Sequence, residues 1–192
     1  MGKNPSYFSR LGEGRFFVKD IKNEDLKQFP VEMVSWDDTQ EFIKKLNKQE
    51  NGKGYVYRLP LDAEWEYACR RGATTAEECS FHFYFEKPTN DLSSTQANFH
   101  GDYPYGKGKK GPILRRTTKV GSYAPNQVGL FDMHGNVAQW CEDADARGSD
   151  RMYRGGSWNL LGVSCLASGR SSDTPTNRFS VRGFRLARVP VR

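Results

Sequence analysis

Long apolar runs, cysteines and histidines are all scarce in this chain, and each shortage removes a class of protein. Nowhere in the 192 residues is there a run of the roughly 20 apolar residues that a membrane-spanning helix needs, so no membrane association is expected. The four cysteines, Cys69, Cys79, Cys141 and Cys165, show no CxxC spacing, which argues against a structural zinc site. Four thiols are also too few to build a disulfide scaffold of this size. Buried free thiols are the plain reading, and with them a cytoplasmic placement of the chain as given; localisation is otherwise left open. Apolar residues make up only 36% of the chain, and mean hydropathy is −0.77.

Rings and turn formers are plentiful. Aromatics reach 13%, so ring burial must do much of the work that aliphatic side chains usually do. Nineteen glycines and nine prolines imply many turns and few long helices. The net charge is +6, and much of it comes from Lys107, Lys109, Lys110, Arg115, Arg116 and Lys119. Glycines and Pro112 interrupt that run, so it reads as a solvated loop. A nucleic-acid groove would need paired aromatics and a recognisable module, so no nucleic-acid partner is expected.

Along the chain, residues 7–26 are polar and irregular. Phe29 to Val34 reads as a short strand. Ser35 is a good N-cap with Asp38 three residues on, and Trp36, Phe42, Ile43 and Leu46 recur at helical spacing, so a helix is expected over 37–49, ended by Asn51-Gly52. Tyr55 to Leu59 reads as a strand stopped by Pro60, and Leu61 to Arg70 as a second helix stopped by Gly72. From there to Trp140 loops are expected, carrying Phe81, Phe83, Tyr84, Phe85, Phe99, Tyr103 and Tyr105. Strands should resume at 152–154 and 184–187, with a turn at Ser172-Asp173-Thr174-Pro175. No repeat or low-complexity linker is visible. The expectation is a single domain over 1–192, α+β in class, with two helices, short twisted strands and a large loop content.

Seven landmarks stand in one order: Gly2-Lys3-Asn4-Pro5-Ser6-Tyr7-Phe8; Phe29-Pro30-Val31 with Val34-Ser35-Trp36; Arg58-Leu59-Pro60 with Glu64 to Arg70; Ala97-Asn98-Phe99; Val120-Gly121-Ser122-Tyr123 with Pro125-Asn126; Gly129 to Trp140; and Arg154-Gly155-Gly156-Ser157-Trp158 closing at Gly183-Phe184-Arg185-Leu186-Ala187. Together they resemble the sulfatase-modifying-factor, or formylglycine-generating-enzyme-like, domain over essentially the whole chain. The resemblance implies a C-type-lectin-like fold with a loop-rich ligand face. It also implies strands ahead of the Gly2 motif, so an N-terminally incomplete domain is the expectation.

The same resemblance supplies tests of chemistry. Oxidising members of the family convert a sulfatase cysteine to formylglycine with copper held by two cysteines, three and eight positions after the Gly-Gly-Ser. Counted forward, those slots hold Leu160 and Cys165; counted back from Arg170, Cys165 matches a non-catalytic cysteine after a gap, and either count leaves at most one thiolate. Soft thiolates select Cu(I), and one of them cannot make a two-thiolate site. Copper is therefore not expected, Cys165 is the only catalytic candidate, and a non-catalytic protein- or ligand-binding domain is the leading reading. The alternative is a formylglycine-generating oxidase or a relative with altered oxidative chemistry. A carbon–sulfur-bond-forming branch uses non-haem iron held by histidines from an additional domain. This chain has His82, His100 and His134, and His134 is expected to be a hydrogen-bonded structural residue.

Calcium is the one ion the resemblance leaves open. One site would use Asp132, Gly135 and Val137, with Gln139 where the family has an acidic residue. The other would use Asn98 and Phe99, with Pro112 near the expected aspartate, so both are expected to be weak. A disulfide between Cys79 and Cys165 is implied by analogy; Cys69 matches a bridged position whose partner is Leu186 here. In diversified relatives, the stretch between the Arg-Gly-Gly-Ser-Trp and Gly-Phe-Arg frames carries a variable ligand surface. Here it would comprise Asn159, Leu160, Leu161, Val163, Ser164, Leu166, Ser168, Asp173, Asn177, Phe179 and Val181, facing a protein or small ligand. Gly155, Gly156, Trp158, Arg170 and Arg185 are expected to be frame.

Overall fold

The computed structural model describes residues 4–191. The Gly2-Lys3 start of the first landmark lies outside the described residues. A 3-10 turn at Arg15–Val18 and a one-turn helix α1 (Asn23–Leu26) organise the irregular N-terminal part. Helix α2 spans Trp36–Gln49 and begins with the expected cap: the Ser35 hydroxyl accepts from the Asp38 amide at 3.1 Å, and the Asp38 carboxylate accepts from the Ser35 amide at 2.9 Å. Such reciprocal capping contributes about 1 kcal/mol. Strand β1 (Tyr55–Arg58) and helix α3 (Asp62–Cys69) follow as the patterns require. No helix among the described residues is long and apolar enough to cross a membrane.

Two sheets complete the fold. Strand β1 pairs antiparallel with β6 (Ala187–Pro190), joining the first third of the chain to its end. The larger sheet runs in the order β4 (Arg170–Asp173), β3 (Arg151–Arg154), β2 (Ala138–Ala144), β5 (Arg182–Phe184). Its β2–β5 pair is parallel and the other two are antiparallel. Strand β2 is covered on both faces. Trp140 points into the cluster beneath α2 with Ile43 and Leu59, while Cys141 points into the cluster beneath α3 with Trp65, Cys69 and Met152.

Four sequence expectations require correction. Residues 29–34 form no strand: Pro30 has no amide to donate, Met33 sits at φ 59°, and Glu32 turns inward. The expected strand at 184–187 is divided, because Arg185 and Leu186 carry the chain from the large sheet to the small one. Ser172 and Asp173, expected in a turn, close strand β4. Strand β2 itself was expected as loop. The ring-based core is present: Phe83, Leu92, Ala97, Phe99 and Cys165 form a buried cluster in which only loop and 3-10 segments take part.

Candidate functional site

The loop leaving β3 decides where the candidate thiol points. Gly155 and Gly156 both take positive φ, at 98° and 70°. A Cβ on Gly156 would lie 2.5 Å from the Cys165 sulfur and 2.8 Å from the Ser164 carbonyl, so only glycine lets the loop fold down on this thiol. A 3-10 turn at Gly162–Cys165 then drives Cys165 into the Phe83–Phe99 cluster with no exposed surface. Burial pushes its thiol up to about 12, so it is not a ready nucleophile. Leu160 faces the other way, 36% exposed, with its carbonyl accepting from the His100 amide at 2.9 Å.

His134 sits behind Cys165 as a core bracket. Its Nδ1 lies 2.7 Å from the Cys165 carbonyl oxygen, and the Tyr84 amide lies 2.9 Å from its Nε2. Only the neutral imidazole with its proton on Nδ1 donates to the first and accepts from the second. Burial holds its pKa down at about 4. The Cys69 sulfur is 3.6 Å from Nε2, and burial keeps that thiol protonated too. All four cysteines are free, which corrects the Cys79–Cys165 pairing. Cys79 lies half-buried against the Ala73 carbonyl, whereas Cys165 is enclosed in the apolar cluster.

The expected ligand surface divides in two. Asn159, Leu160, Leu161, Val163, Ser168 and Phe179 are exposed. The Trp158 indole donates to the Ser180 carbonyl at 3.0 Å, tying the 157–163 loop to the segment that carries Phe179. Tyr103 adjoins this surface, since its carbonyl accepts from the Gly162 amide at 2.9 Å and the residue is 55% exposed. Sequence reading placed Tyr103 in a loop and did not assign it to this surface. The other residues contribute mainly to the frame. Leu166 packs on the buried cluster, and Ser164 and Val181 are half-buried. Asp173 accepts from the Asn177 side-chain amide at 2.7 Å and from Arg182 at 2.8 Å. Arg182 in turn lies 4.4 Å from the Trp140 ring centroid and 4.0 Å from that of Tyr153.

The two asparagine-bearing segments do come together. The Asn136 amide donates to the Asn98 carbonyl at 2.7 Å, and the Asn136 side-chain oxygen accepts from the Thr118 amide at 2.9 Å and from Asn98 Nδ2 at 3.3 Å. The Gln139 side-chain nitrogen donates to the Asp132 carbonyl at 2.9 Å, and its oxygen accepts from the Trp65 indole and from Arg185. Asp132 accepts from the Gly121 amide at 2.8 Å, and burial raises its carboxyl above the ordinary value. Among the described residues no group of three or more His, Cys, Asp or Glu side chains is close enough to hold a metal ion.

Comparison with known proteins agrees with this architecture. Residues 8–190 match the sulfatase-modifying factor enzyme 1-like domain. The formylglycine-generating enzyme of Bos taurus is 29% identical over 178 residues, covering 82% of this chain and 43% of that protein. A serine/threonine-protein kinase, pkn1, of Chlamydia pneumoniae is 29% identical over 178 residues, covering 83% of this chain and 24% of that protein. The chain thus spans less than half the length of these relatives. Among solved structures, Treponema denticola variable protein 1 superposes with a TM-score of 0.68 at 24% identity, over 100% of this chain and 79% of that one. The structure of CarF superposes with a TM-score of 0.64 at 28% identity, over 88% of this chain and 70% of that one. The fold is C-type-lectin-like.

Proposed function

The chain belongs to the sulfatase-modifying factor enzyme 1-like family, and we propose that within it this domain is a non-catalytic binding module presenting the Leu160–Val163 loop to a protein partner. One observation carries the reading. At the two positions where oxidising relatives seat a thiol pair, this chain has an outward-facing leucine and a sealed, protonated cysteine. A copper–dithiolate centre needs two reachable thiolates. The loop instead offers Leu160, Leu161 and Val163, each at least one-third exposed, among uncharged polar neighbours. Apolar residues within an uncharged surround have the composition of an interface centre. A match covering a quarter of a longer kinase chain is consistent with a module carried beside other domains.

Leu161→Asp is expected to leave unfolding free energy within about 0.5 kcal/mol of wild type, because its side chain already faces water, and Phe179→Asp to cost about 1 kcal/mol, because its ring also covers Arg182 at 5.2 Å. Each is expected to weaken binding of the partner captured by the wild-type chain by about tenfold or more. Capture that both variants leave unchanged argues against this surface. Incubation with Cu(I) and a sulfatase-motif peptide is expected to leave the peptide cysteine intact. Conversion to an aldehyde that disappears in Cys165→Ser would overturn the reading.

The residues around Asp132 do not fit calcium, which takes six to eight oxygen ligands with strong carboxylate character. Their side chains provide one carboxylate, an amide nitrogen already donating to the Asp132 carbonyl, and a neighbouring guanidinium, leaving Gly135 and Val137 to supply uncharged main-chain oxygens alone. Chelation with EGTA is therefore expected to leave the thermal midpoint unchanged. A calcium-reversible drop of several degrees would mean that an ion holds this loop.

A further inference from the structure

A cleft of about 650 Å³ opens on a part of the surface lined by none of the Leu160–Val163 residues, between Val31, Val120, Phe131 and Phe184, with Asp132 and Arg185 at its polar end. That volume lies in the range of small-molecule pockets, about 300–1,000 Å³. Its rim is apolar: Val31, Val120 and Phe131 are each more than 40% exposed. Arg185 differs from the two fully buried arginines, Arg154 and Arg182. Arg154 and Arg182 each contact a carboxylate. Arg185 donates through Nε to the Gln139 side-chain oxygen at 2.9 Å and through Nη2 to the Phe131 carbonyl at 2.6 Å, both uncharged acceptors. Among the described residues its Nη1 has no hydrogen-bond partner, and no carboxylate lies within ion-pair distance. Burial pulls its pKa below the ordinary arginine value, and the charge of Asp132 only partly offsets this. Asp132 directs a carboxylate oxygen at the Gly121 amide instead.

A half-buried guanidinium with one open nitrogen and no anion beside it has a fork that matches a carboxylate. We propose that this cleft binds a small carboxylic acid with an apolar body, the carboxylate on Arg185 and the body against Val31, Val120, Phe131 and Phe184. The pocket's size favours a free small molecule over a chain segment. The open guanidinium nitrogen of Arg185 selects an acid over a neutral analogue, against the opposing charge of Asp132.

The test titrates the full chain, followed by amide chemical shifts, with straight-chain and phenyl-substituted carboxylates of four to eight carbons and with their primary amides. Saturable binding of at least one acid, about tenfold tighter than its amide, is expected, with shifts in residues 120–121 and 129–132. Val120→Glu changes an exposed rim residue and should retain the fold while abolishing binding. Arg185→Lys should weaken binding, and Asp132→Asn should strengthen it by removing a neighbouring negative charge. Failure of every acid to bind, equal binding of acid and amide, or binding untouched by Val120→Glu overturns the proposal. An apolar peptide with a free C-terminal carboxylate forms a further arm. Binding by that peptide alone, without any small acid, also overturns it and assigns the cleft to a chain terminus.

Discussion

Arg154→Ala is expected to lower unfolding free energy by about 3–5 kcal/mol, measured by urea denaturation at neutral pH. The residue ends β3 and is only 2% exposed. Its Nε donates to Asp62, its Nη2 to Glu66 at 2.9 Å, and its Nη1 to the Ala167 carbonyl at 3.1 Å. Asp62 and Glu66 lie one helical turn apart on α3, so a single guanidinium joins that helix, the central sheet and the loop leading to β4. Removing it leaves Asp62 with only Arg170 at 3.6 Å, Glu66 with only Arg70 at 2.8 Å, and a buried carbonyl without its donor. Those carboxylates retain some contact with solvent, which places the expected value toward the lower end. Adding Asp62→Asn should restore part of the loss, because the more weakly paired carboxylate goes with it. A loss under about 1 kcal/mol would mean that the network behaves as a surface pair.

The second large effect is a pair of opposed pH dependences. His134 titrates near 4 in the fold against an ordinary 6.5, so the unfolded chain takes up a proton first. Its contribution is complete above about 6.5 and is lost as pH falls toward 4, roughly 3 kcal/mol in all. Glu32 is the reverse. It is fully buried with its oxygens on the Tyr7 and Phe8 amides at 3.1 and 2.9 Å, and burial, the dominant influence, lifts it from 4.5 to about 7. Its contribution is complete below 4.5 and is lost as pH rises through 7, by a similar roughly 3 kcal/mol. Between pH 4.5 and 6.5 the two slopes oppose each other. Relative to wild type, His134→Gln should therefore lose stability as pH rises across this window, and Glu32→Gln as pH falls. Parallel curves for wild type and both variants would show that neither group titrates as its surroundings dictate.

Legibility in the sequence followed the physics of each element. Helix α2 was readable because capping and periodicity are local: Ser35, Asp38 and Ile43 carry their message within one stretch. Strand β2 was not, since a strand packed on both faces loses the alternation by which strands are recognised. Phe29 to Val34 misled in the opposite way. Its apolar residues resemble a strand, but Pro30, the positive φ of Met33 and the inward turn of Glu32 make it an irregular bend. His134 was expected as a structural residue and is one; its partners, Tyr84 and Cys165, were beyond reach because they lie 50 and 31 residues away in the chain.

The order of landmarks along the chain was enough to establish the family, and local capping and periodicity the two main helices. These are matters of residue identity and short-range pattern, which survive without coordinates. Tertiary structure alone decided that Cys165 faces the core while Leu160 faces water, that Asp173 and Asn177 brace the loop they were expected to decorate, and that Arg185 stands at the end of a cleft without a carboxylate partner. Each of those outcomes depends on which distant segments close over a side chain. In a domain held largely by loops and rings, no local periodicity encodes that closure.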